Sequence, residues 1–232
     1  PMLHYLRDVF ELAFPNNCVE CRKTLFNFET TICSSCLESL PRTHFEKQAD
    51  NTIVRLFWGR CELEMATSLF YINKHNKVHH LMHQLKYRNK PLIGQRLGKT
   101  LGLKLIEEGS LFSEIDMIVP VPLHWKKEQQ RGYNQALQIA LGIQQATQWK
   151  VEENNLVRVK ENISQTKRTK YERWENVSEI FAVKNPEAIQ HKHILLVDDV
   201  ITTGATLEAC VHALKKVEGV KVSVASLATV ER

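Results

Sequence analysis

The chain has 232 residues, enough for one large domain or for a medium domain with a small appendage. Its hydrophobic content of 43% is ordinary for a globular protein, and no apolar run reaches the length of a membrane span. The net charge of +5 suits an anionic ligand but is small for a dedicated nucleic-acid-binding protein. Because no secretion signal is recognisable either, we expect a soluble, cytoplasmic protein without a membrane partner.

The chain begins with a predicted amphipathic helix at residues 2–14, followed by four cysteines. The cysteines form two CxxC pairs separated by eleven residues, and they are Cys18, Cys21, Cys33 and Cys36. Two disulfides are disfavoured in a reducing cytosol, and a redox CxxC would explain only one pair. The pattern therefore predicts a Zn²⁺ site whose four thiolates leave no open position, which is typical of structural zinc.

The middle of the chain predicts a strand around residues 69–71 and two helices, one at 75–87 and one that begins at Pro91. From residue 115 onward, strand and helix patterns alternate. Strands are predicted at 115–121, 156–159, 181–183, 193–198 and 221–228, with a helix at 135–147. This alternation is typical of an α/β fold with a mainly parallel sheet flanked by helices. On the helix at 135–147 we expect Leu137, Ala140 and Leu141 to face inward.

The most informative segment follows the apolar strand at 194–197: Asp198, Asp199 and then a loop rich in threonine that ends at Thr206. The next apolar residues recur at helical spacing, so the loop lies between a strand and a helix. Ligands of open α/β sheets bind at such carboxyl ends, and a helix N-terminus attracts anions. Two carboxylates suit a polyol, directly or through a divalent cation. A simple capped turn is the alternative, but a turn needs only one polar cap.

Two further loops belong to the candidate site. The first follows the strand at 115–121 and contains Arg131, Gly132 and Asn134; its arginine can grip a phosphate in a fork, whereas its lysines are ordinary surface residues. The second, residues 160–173, has five basic and two acidic residues and no apolar periodicity. It is either a lid that closes over an anionic ligand, with Lys167 among its cations, or a disordered basic loop.

The segment from Asp198 to Thr206 resembles the loop that binds 5-phosphoribosyl pyrophosphate (PRPP) in type I phosphoribosyltransferases. The chain as a whole is similar to the ComF family. The marks of that resemblance are the double CxxC, Leu85-Lys86-Tyr87, the Val-Pro-Val-Pro stretch with Arg131-Gly132-Tyr133-Asn134-Gln135, Gln165-Thr166, Arg173 with Asn176, and Asp198 to Thr206. They occur in the right order over nearly the whole chain.

The resemblance implies a type I phosphoribosyltransferase core with a zinc-binding module at 1–45 and a phosphoribosyltransferase-like domain at 46–232, divided into a cap at 46–110 and a core at 111–232. It implies Mg²⁺ bound with PRPP, an unknown acceptor, and a role in natural transformation with single-stranded DNA or competence proteins as partners. The implied catalytic residues are Asp198, Asp199, Arg131 and Lys167. The implied PRPP-binding residues are Asp198, Asp199, Val200, Ile201, Thr202, Thr203, Gly204, Ala205, Thr206, Arg131, Asn134, Lys86 and Tyr87.

Two functions remain open from the sequence. The first is an enzyme that transfers the phosphoribosyl group, although no general base for the acceptor is evident. The second is a non-catalytic module that senses PRPP or a nucleotide and binds single-stranded DNA, with Tyr87, Tyr133 and Trp174 available to stack on bases.

Overall fold

The computed structural model describes residues 16–107, 111–159 and 180–231. The predicted helix at 2–14 and the basic segment at 160–173 lie outside these ranges. The elements in chain order are α1 (Ser34–Glu38), α2 (Thr52–Leu56), β1 (Ala66–Ile72), α3 (Lys77–Tyr87), α4 (Pro91–Glu107), β2 (Met117–Pro120), α5 (Trp125–Arg131), α6 (Gln135–Thr147), β3 (Lys150–Val151), β4 (Leu156–Arg158), β5 (Phe181–Val183), β6 (His193–Ile201), α7 (Ala205–Lys215) and β7 (Lys221–Val230).

Five strands form a parallel sheet in the order β1-β7-β6-β2-β3. Successive side chains of a strand point to opposite faces, and β6 buries both sets. Leu195 and Val197 belong to the core beneath α3, α4 and α6, whereas Ile194 and Leu196 belong to the core beneath α7. The predicted α/β fold with a parallel sheet between helical layers is therefore confirmed.

The predicted alternation placed β4 and β5 in that sheet, but the structure does not. They pair with each other in an antiparallel ladder, with Leu156 opposite Val183. Apolar runs of three residues carry no information about the partner strand, so periodicity alone could not separate this pair from the parallel strands. Leu156 and Phe181 are buried in the same core as α7.

The inward face of α6 also differs from the prediction, because Leu137 and Leu141 are only partly buried. The apolar side chains that α6 buries are Ala136, Ile139, Ala140 and Ile143. The helix is covered by α4 as well as by the sheet, and a Cβ atom added to Gly142 would lie 2.2 Å from the Gln95 carbonyl oxygen. Two neighbours rather than one therefore set the buried face, which rotates away from the predicted stripe.

The cysteine-containing segment shares a core with the rest of the chain. Val19 and Leu37 belong to the same hydrophobic cluster as Leu81 of α3, and the Gln84 side chain donates a hydrogen bond to the Val19 carbonyl at 3.1 Å. Apolar side chains from both sides of residue 45 therefore pack together. The domain boundary predicted after that residue stays a prediction. Within the ranges described, no helix is both long and apolar enough to cross a lipid bilayer.

Candidate functional site

The four cysteines of the two CxxC pairs converge on one point. The sulfur atoms of Cys18, Cys21, Cys33 and Cys36 all lie within 4.8 Å of one another, and those of Cys21 and Cys33 are 3.7 Å apart. A tetrahedral ion with metal–sulfur bonds of about 2.3 Å requires sulfur atoms about 3.8 Å apart. The cluster can therefore hold a metal ion, as the spacing predicts, and four thiolates would fill its coordination sphere.

Backbone N–H groups donate hydrogen bonds to the cysteine sulfurs and so stabilise their thiolate forms. The N–H of Cys33 donates to the Cys18 sulfur at 3.3 Å, and the N–H of Cys36 donates to the Cys33 sulfur at 3.4 Å. Burial raises the pKa of Cys18, but such backbone hydrogen bonds outweigh it and lower that pKa to about 7. Burial, together with the neighbouring thiols, raises the pKa of Cys36 to about 12. A metal ion must therefore displace protons from the cluster when it binds.

The second group of candidate residues lies at the carboxyl end of β6. The sequence predicted a strand that ends at Asp198, but β6 continues to Ile201, so both aspartates lie within the strand. Asp198 Oδ1 accepts a hydrogen bond from the Asp199 N–H at 2.8 Å. The Asp199 carboxylate forms a 2.9 Å ion pair with Nζ of Lys86, which belongs to the last turn of α3.

The Asp198 carboxyl group carries an electrostatic penalty when it ionises. Burial and the adjacent Asp199 charge raise its pKa to about 7, and Lys86 and Arg131 offset only part of that effect. Hydroxyl donors or a divalent cation would stabilise the ionised pair, because oxygen-rich sites of this kind favour hard cations and polyols.

The loop from Thr202 to Gly204 connects this pair to α7. The hydroxyl-bearing residues Thr202, Thr203 and Thr206 are exposed, and the loop ends where the N-terminal N–H groups of α7 lack helical partners. Gly204 has a φ of +75°, and a Cβ atom there would lie 2.8 Å from the Phe57 ring. Glycine is thus required by both backbone conformation and space, and a helix terminus of this kind can bind an anion.

The third group lies at the end of α5, whose seven residues include six polar ones and gave no helical periodicity to predict. Gly132 reverses the chain with a φ of +82°, and Asn134 caps α6. The Arg131 guanidinium donates to the Gln135 side chain at 2.7 Å and lies 5.5 Å from the centroid of the Tyr87 ring. Because Arg131 also acts on the charge of Asp198, this loop and the end of β6 face one another.

Two side chains, those of Tyr133 and Asn134, fix the position of this loop. The Tyr133 hydroxyl donates to the Leu85 carbonyl, and burial raises the pKa of Tyr133 to about 12. Asn134 donates to the Val121 carbonyl at 3.0 Å and accepts from the Ala136 N–H at 2.9 Å. Both polar atoms of the Asn134 side chain are thus engaged in holding the turn, and its predicted contact with a ligand stays a prediction.

The structure brings most of the predicted site residues to one end of the sheet. The two aspartates, Lys86 and Arg131 interact electrostatically, and the threonine loop continues directly from the aspartates. Lys167 lies outside the described residues. Sequence reasoning missed Arg60, which contacts the Thr203 carbonyl across 143 residues of chain. No periodicity or motif surrounds Arg60, so nothing in the sequence indicated that contact.

Comparison with known protein families gives a match for the C-terminal part of the chain. Residues 135–232 match the phosphoribosyl transferase domain family. The matched range begins at α6 and contains the acidic pair, the threonine loop and α7, whereas the cysteine cluster lies outside it.

Two curated relatives are competence proteins. The chain is 26% identical over 227 residues to competence protein F of Haemophilus influenzae, in an alignment that covers 93% of this chain and 97% of that protein. It is 37% identical over 99 residues to competence protein ComFC of Bacillus subtilis, covering 42% of this chain and 38% of that protein. Among solved structures, glutamine PRPP amidotransferase from B. subtilis aligns over 61% of this chain and 30% of its own, at 19% identity and a TM-score of 0.41. That structural likeness is too low to support any argument on function.

Proposed function

We propose that this chain, a ComF-type phosphoribosyltransferase-like protein, binds PRPP across the carboxyl ends of β6 and β2 and transfers or recognises the 5-phosphoribosyl group. The observation that carries this proposal is the acidic pair Asp198–Asp199, which leads directly into a threonine loop at the N-terminus of α7. Carboxylates accept hydrogen bonds from ribose hydroxyls, and a helix N-terminus binds phosphate.

In this proposal each residue group has one part of the ligand. Asp198 and Asp199 hold the ribose hydroxyls, and residues 200–206 hold the 5-phosphate. Arg131 and Lys86 bind the pyrophosphate, and Lys167 joins them from the segment at 160–173. When the bond between C1 of the ribose and the pyrophosphate oxygen breaks, negative charge develops on the leaving group. Fixed cations lower the barrier by stabilising that charge.

Mg²⁺ fits the same site by its donor chemistry. Asp198 and Asp199 supply the carboxylate oxygens that Mg²⁺ prefers, and the raised pKa of Asp198 indicates uncompensated negative charge. When bound with PRPP, the ion would neutralise charge on the pyrophosphate.

For the cysteine cluster we propose zinc. Four cysteine sulfurs within 4.8 Å of one another are the donor set of structural Zn²⁺ sites. The role of the ion is to fold the segment around residues 16–40, because that segment is too short to form a core of its own. The names of the relatives lead us to propose that the protein acts in DNA uptake, with single-stranded DNA or the competence machinery as partners.

A second function, a non-catalytic module that binds single-stranded DNA, is favoured by exposed aromatic rings beside cations. Tyr87 is 57% exposed next to Arg131, and Trp125 is 58% exposed with Lys126 Nζ 5.4 Å from its ring. Aromatic rings of this kind stack on bases, and the cations contact phosphates. Tyr133 is less suited to stacking because its hydroxyl is bound to the Leu85 carbonyl. Trp174 lies outside the described residues.

Titration calorimetry with PRPP and Mg²⁺ tests the proposal. We expect binding by the wild type, loss of binding in the double variant Asp198→Ala/Asp199→Ala, and retention in Asp116→Ala. The last variant removes the same charge just before β2, at the opposite end of the sheet. Absence of binding by the wild type rejects the PRPP site. Pyrophosphate release with one member of a panel of nucleobases identifies an enzyme, whereas binding without release favours the module.

A further inference from the structure

Arg60 connects three separate segments behind the threonine loop. Its Nη1 donates hydrogen bonds to the Thr203 carbonyl at 2.8 Å and to the Leu56 carbonyl at 3.2 Å, and its Nη2 lies 2.5 Å from Glu208 Oε2. The Arg60 side chain is 30% exposed, and that of Glu208 is 20% exposed. One partly desolvated guanidinium thus joins the turn after α2, the loop after β6 and the first turn of α7.

The Phe57 ring supports the same loop from below. Phe57 is 1% exposed, and a Cβ atom on Gly204 would lie 2.8 Å from its ring. The Arg60 guanidinium carbon lies 5.6 Å from the centroid of that ring. Because Phe57 packs against the glycine and Arg60 holds the preceding carbonyl, residues 56–60 form a wall that fixes the loop from one side.

These contacts have consequences for an anion at the N-terminus of α7. A carboxylate in the first turn of a helix repels an anion bound at the same terminus, and Glu208 is in that position. Arg60 neutralises Glu208. It also engages the Thr203 carbonyl oxygen, which would otherwise be free to turn toward a bound phosphate and repel it. Arg60 therefore makes the loop more favourable for phosphate in two ways.

We infer that Arg60, supported by Phe57, is a positioning residue that sets the affinity of the threonine loop for the 5-phosphate of a phosphoribosyl ligand. This inference rests on the proposed function and adds a determinant that lies outside the residues matched to the phosphoribosyl transferase domain family. It makes a directional claim: Arg60 acts on the phosphate end of the ligand and not on the pyrophosphate end, which we assign to Arg131 and Lys86.

The test uses two probes that separate these ends, ribose 5-phosphate and inorganic pyrophosphate, each measured by titration calorimetry with Mg²⁺ on the full chain. We expect Arg60→Gln to weaken ribose 5-phosphate binding about tenfold and to leave pyrophosphate binding within about twofold. Arg55→Gln is the matched control, because Arg55 is a nearby arginine whose bidentate pair with Asp50 lies at the surface. It should change neither affinity.

The charge contribution is tested with Glu208. Glu208→Gln alone should tighten ribose 5-phosphate binding about two- to threefold, because Arg60 still holds the Thr203 carbonyl and its charge is no longer neutralised by Glu208. The double variant Arg60→Gln/Glu208→Gln should recover part of the affinity that Arg60→Gln loses. Arg60→Lys, which keeps the charge but loses the planar fork, should fall between the wild type and Arg60→Gln.

The outcomes discriminate among the alternatives. Equal weakening of both probes in Arg60→Gln indicates general damage to the fold and overturns the inference. Unchanged ribose 5-phosphate binding in Arg60→Gln overturns it as well and leaves the proposed function intact. If the wild type binds neither probe, the inference and the proposed function are both overturned. If Arg60→Gln does not fold, Glu208→Gln decides, since unchanged or weaker ribose 5-phosphate binding in that variant contradicts the inference.

Discussion

Replacement of Asp198 by Asn should stabilise the free protein at neutral pH while it removes a residue of the candidate site. Asn retains the oxygen that accepts the Asp199 N–H but carries no charge. In the wild type, burial and the Asp199 charge raise the pKa of Asp198 from 3.8 to about 7, so the folded state holds a proton that the unfolded state releases. The folded wild type therefore loses stability as the pH rises from about 4 to about 7.

The size of the effect follows from this pKa difference. Each pKa unit corresponds to about 1.4 kcal/mol, so the shift sets an upper limit of about 4 kcal/mol above pH 7. Asp198 is only partly buried as a residue, so water screens its interaction with Asp199. We therefore expect Asp198→Asn to exceed the wild type by about 1–2 kcal/mol in free energy of unfolding at pH 8, and by almost nothing at pH 4.

The assay is urea denaturation of the wild type and the variant at pH values from 4 to 8, with the difference between the two taken at each pH. Any loss of metal at low pH is common to both proteins and cancels in this difference. Asp116→Asn is the control of opposite sign. The His193 N–H and then Lys192 lower the pKa of Asp116, so its charge stabilises the folded state above pH 4. That variant should be slightly less stable than the wild type at pH 8, by under about 1 kcal/mol because the pair is exposed.

The reasoning is refuted if Asp198→Asn is no more stable than the wild type at pH 8 and the difference between them does not change with pH. Such a result would mean that Asp198 is ionised at little cost, and the negative potential on which we base the Mg²⁺ and ribose assignments would be absent.

Two further predictions concern packing and the metal site. Gly98→Ala should destabilise the protein by about 2–4 kcal/mol in urea denaturation, because its Cβ would lie 2.3 Å from the Ile139 carbonyl oxygen. Gly59→Ala is the control: it has open space but a φ of +69°, and it should cost only about 1 kcal/mol. Equal losses of stability in the two variants would contradict the packing argument. Chelation of the metal, or the variant Cys36→Ser, should abolish cooperative folding of the segment around residues 16–40. Hydrogen exchange at the Val19 N–H measures this folding, because that group donates to the Thr31 carbonyl. Retained protection there would show that the apolar contacts suffice without the ion.

The sequence predicted the parts of the fold that depend on local pattern. The helix at residues 135–147 agrees with α6 at both ends, and the helix predicted to begin at Pro91 does begin there. The inward face of α6 was predicted incorrectly because it is decided by the close approach of α4, which involves residues 40 positions away. The pairing of β4 with β5 was missed for a similar reason, since three apolar residues do not specify a partner.

The candidate site shows the same division. The acidic pair and the threonine loop are contiguous in the chain, and a strand followed by a helix is enough to place them at a sheet edge. Lys86 was included only through a family resemblance, because no local pattern connects the end of α3 to Asp199. Arg60 had neither a motif nor a resemblance, and only the folded chain brings it to the loop.

The segment that contains the four cysteines and the candidate ligand site are physically connected through α3. Along that helix, a His80 ring nitrogen lies 2.8 Å from a Glu20 carboxylate oxygen, and Gln84 donates to the Val19 carbonyl. At the end of the helix, Lys86 pairs with Asp199. Because a helix is rigid over eleven residues, the folded cysteine segment helps to determine where the Lys86 ammonium lies. In the free protein this ammonium neutralises one carboxylate of the acidic pair and leaves the other with a raised pKa. A ligand or cation that engages both carboxylates must therefore compete with Lys86. We therefore expect that a metal ion held by the four cysteines would influence affinity at this distant site through the position of α3.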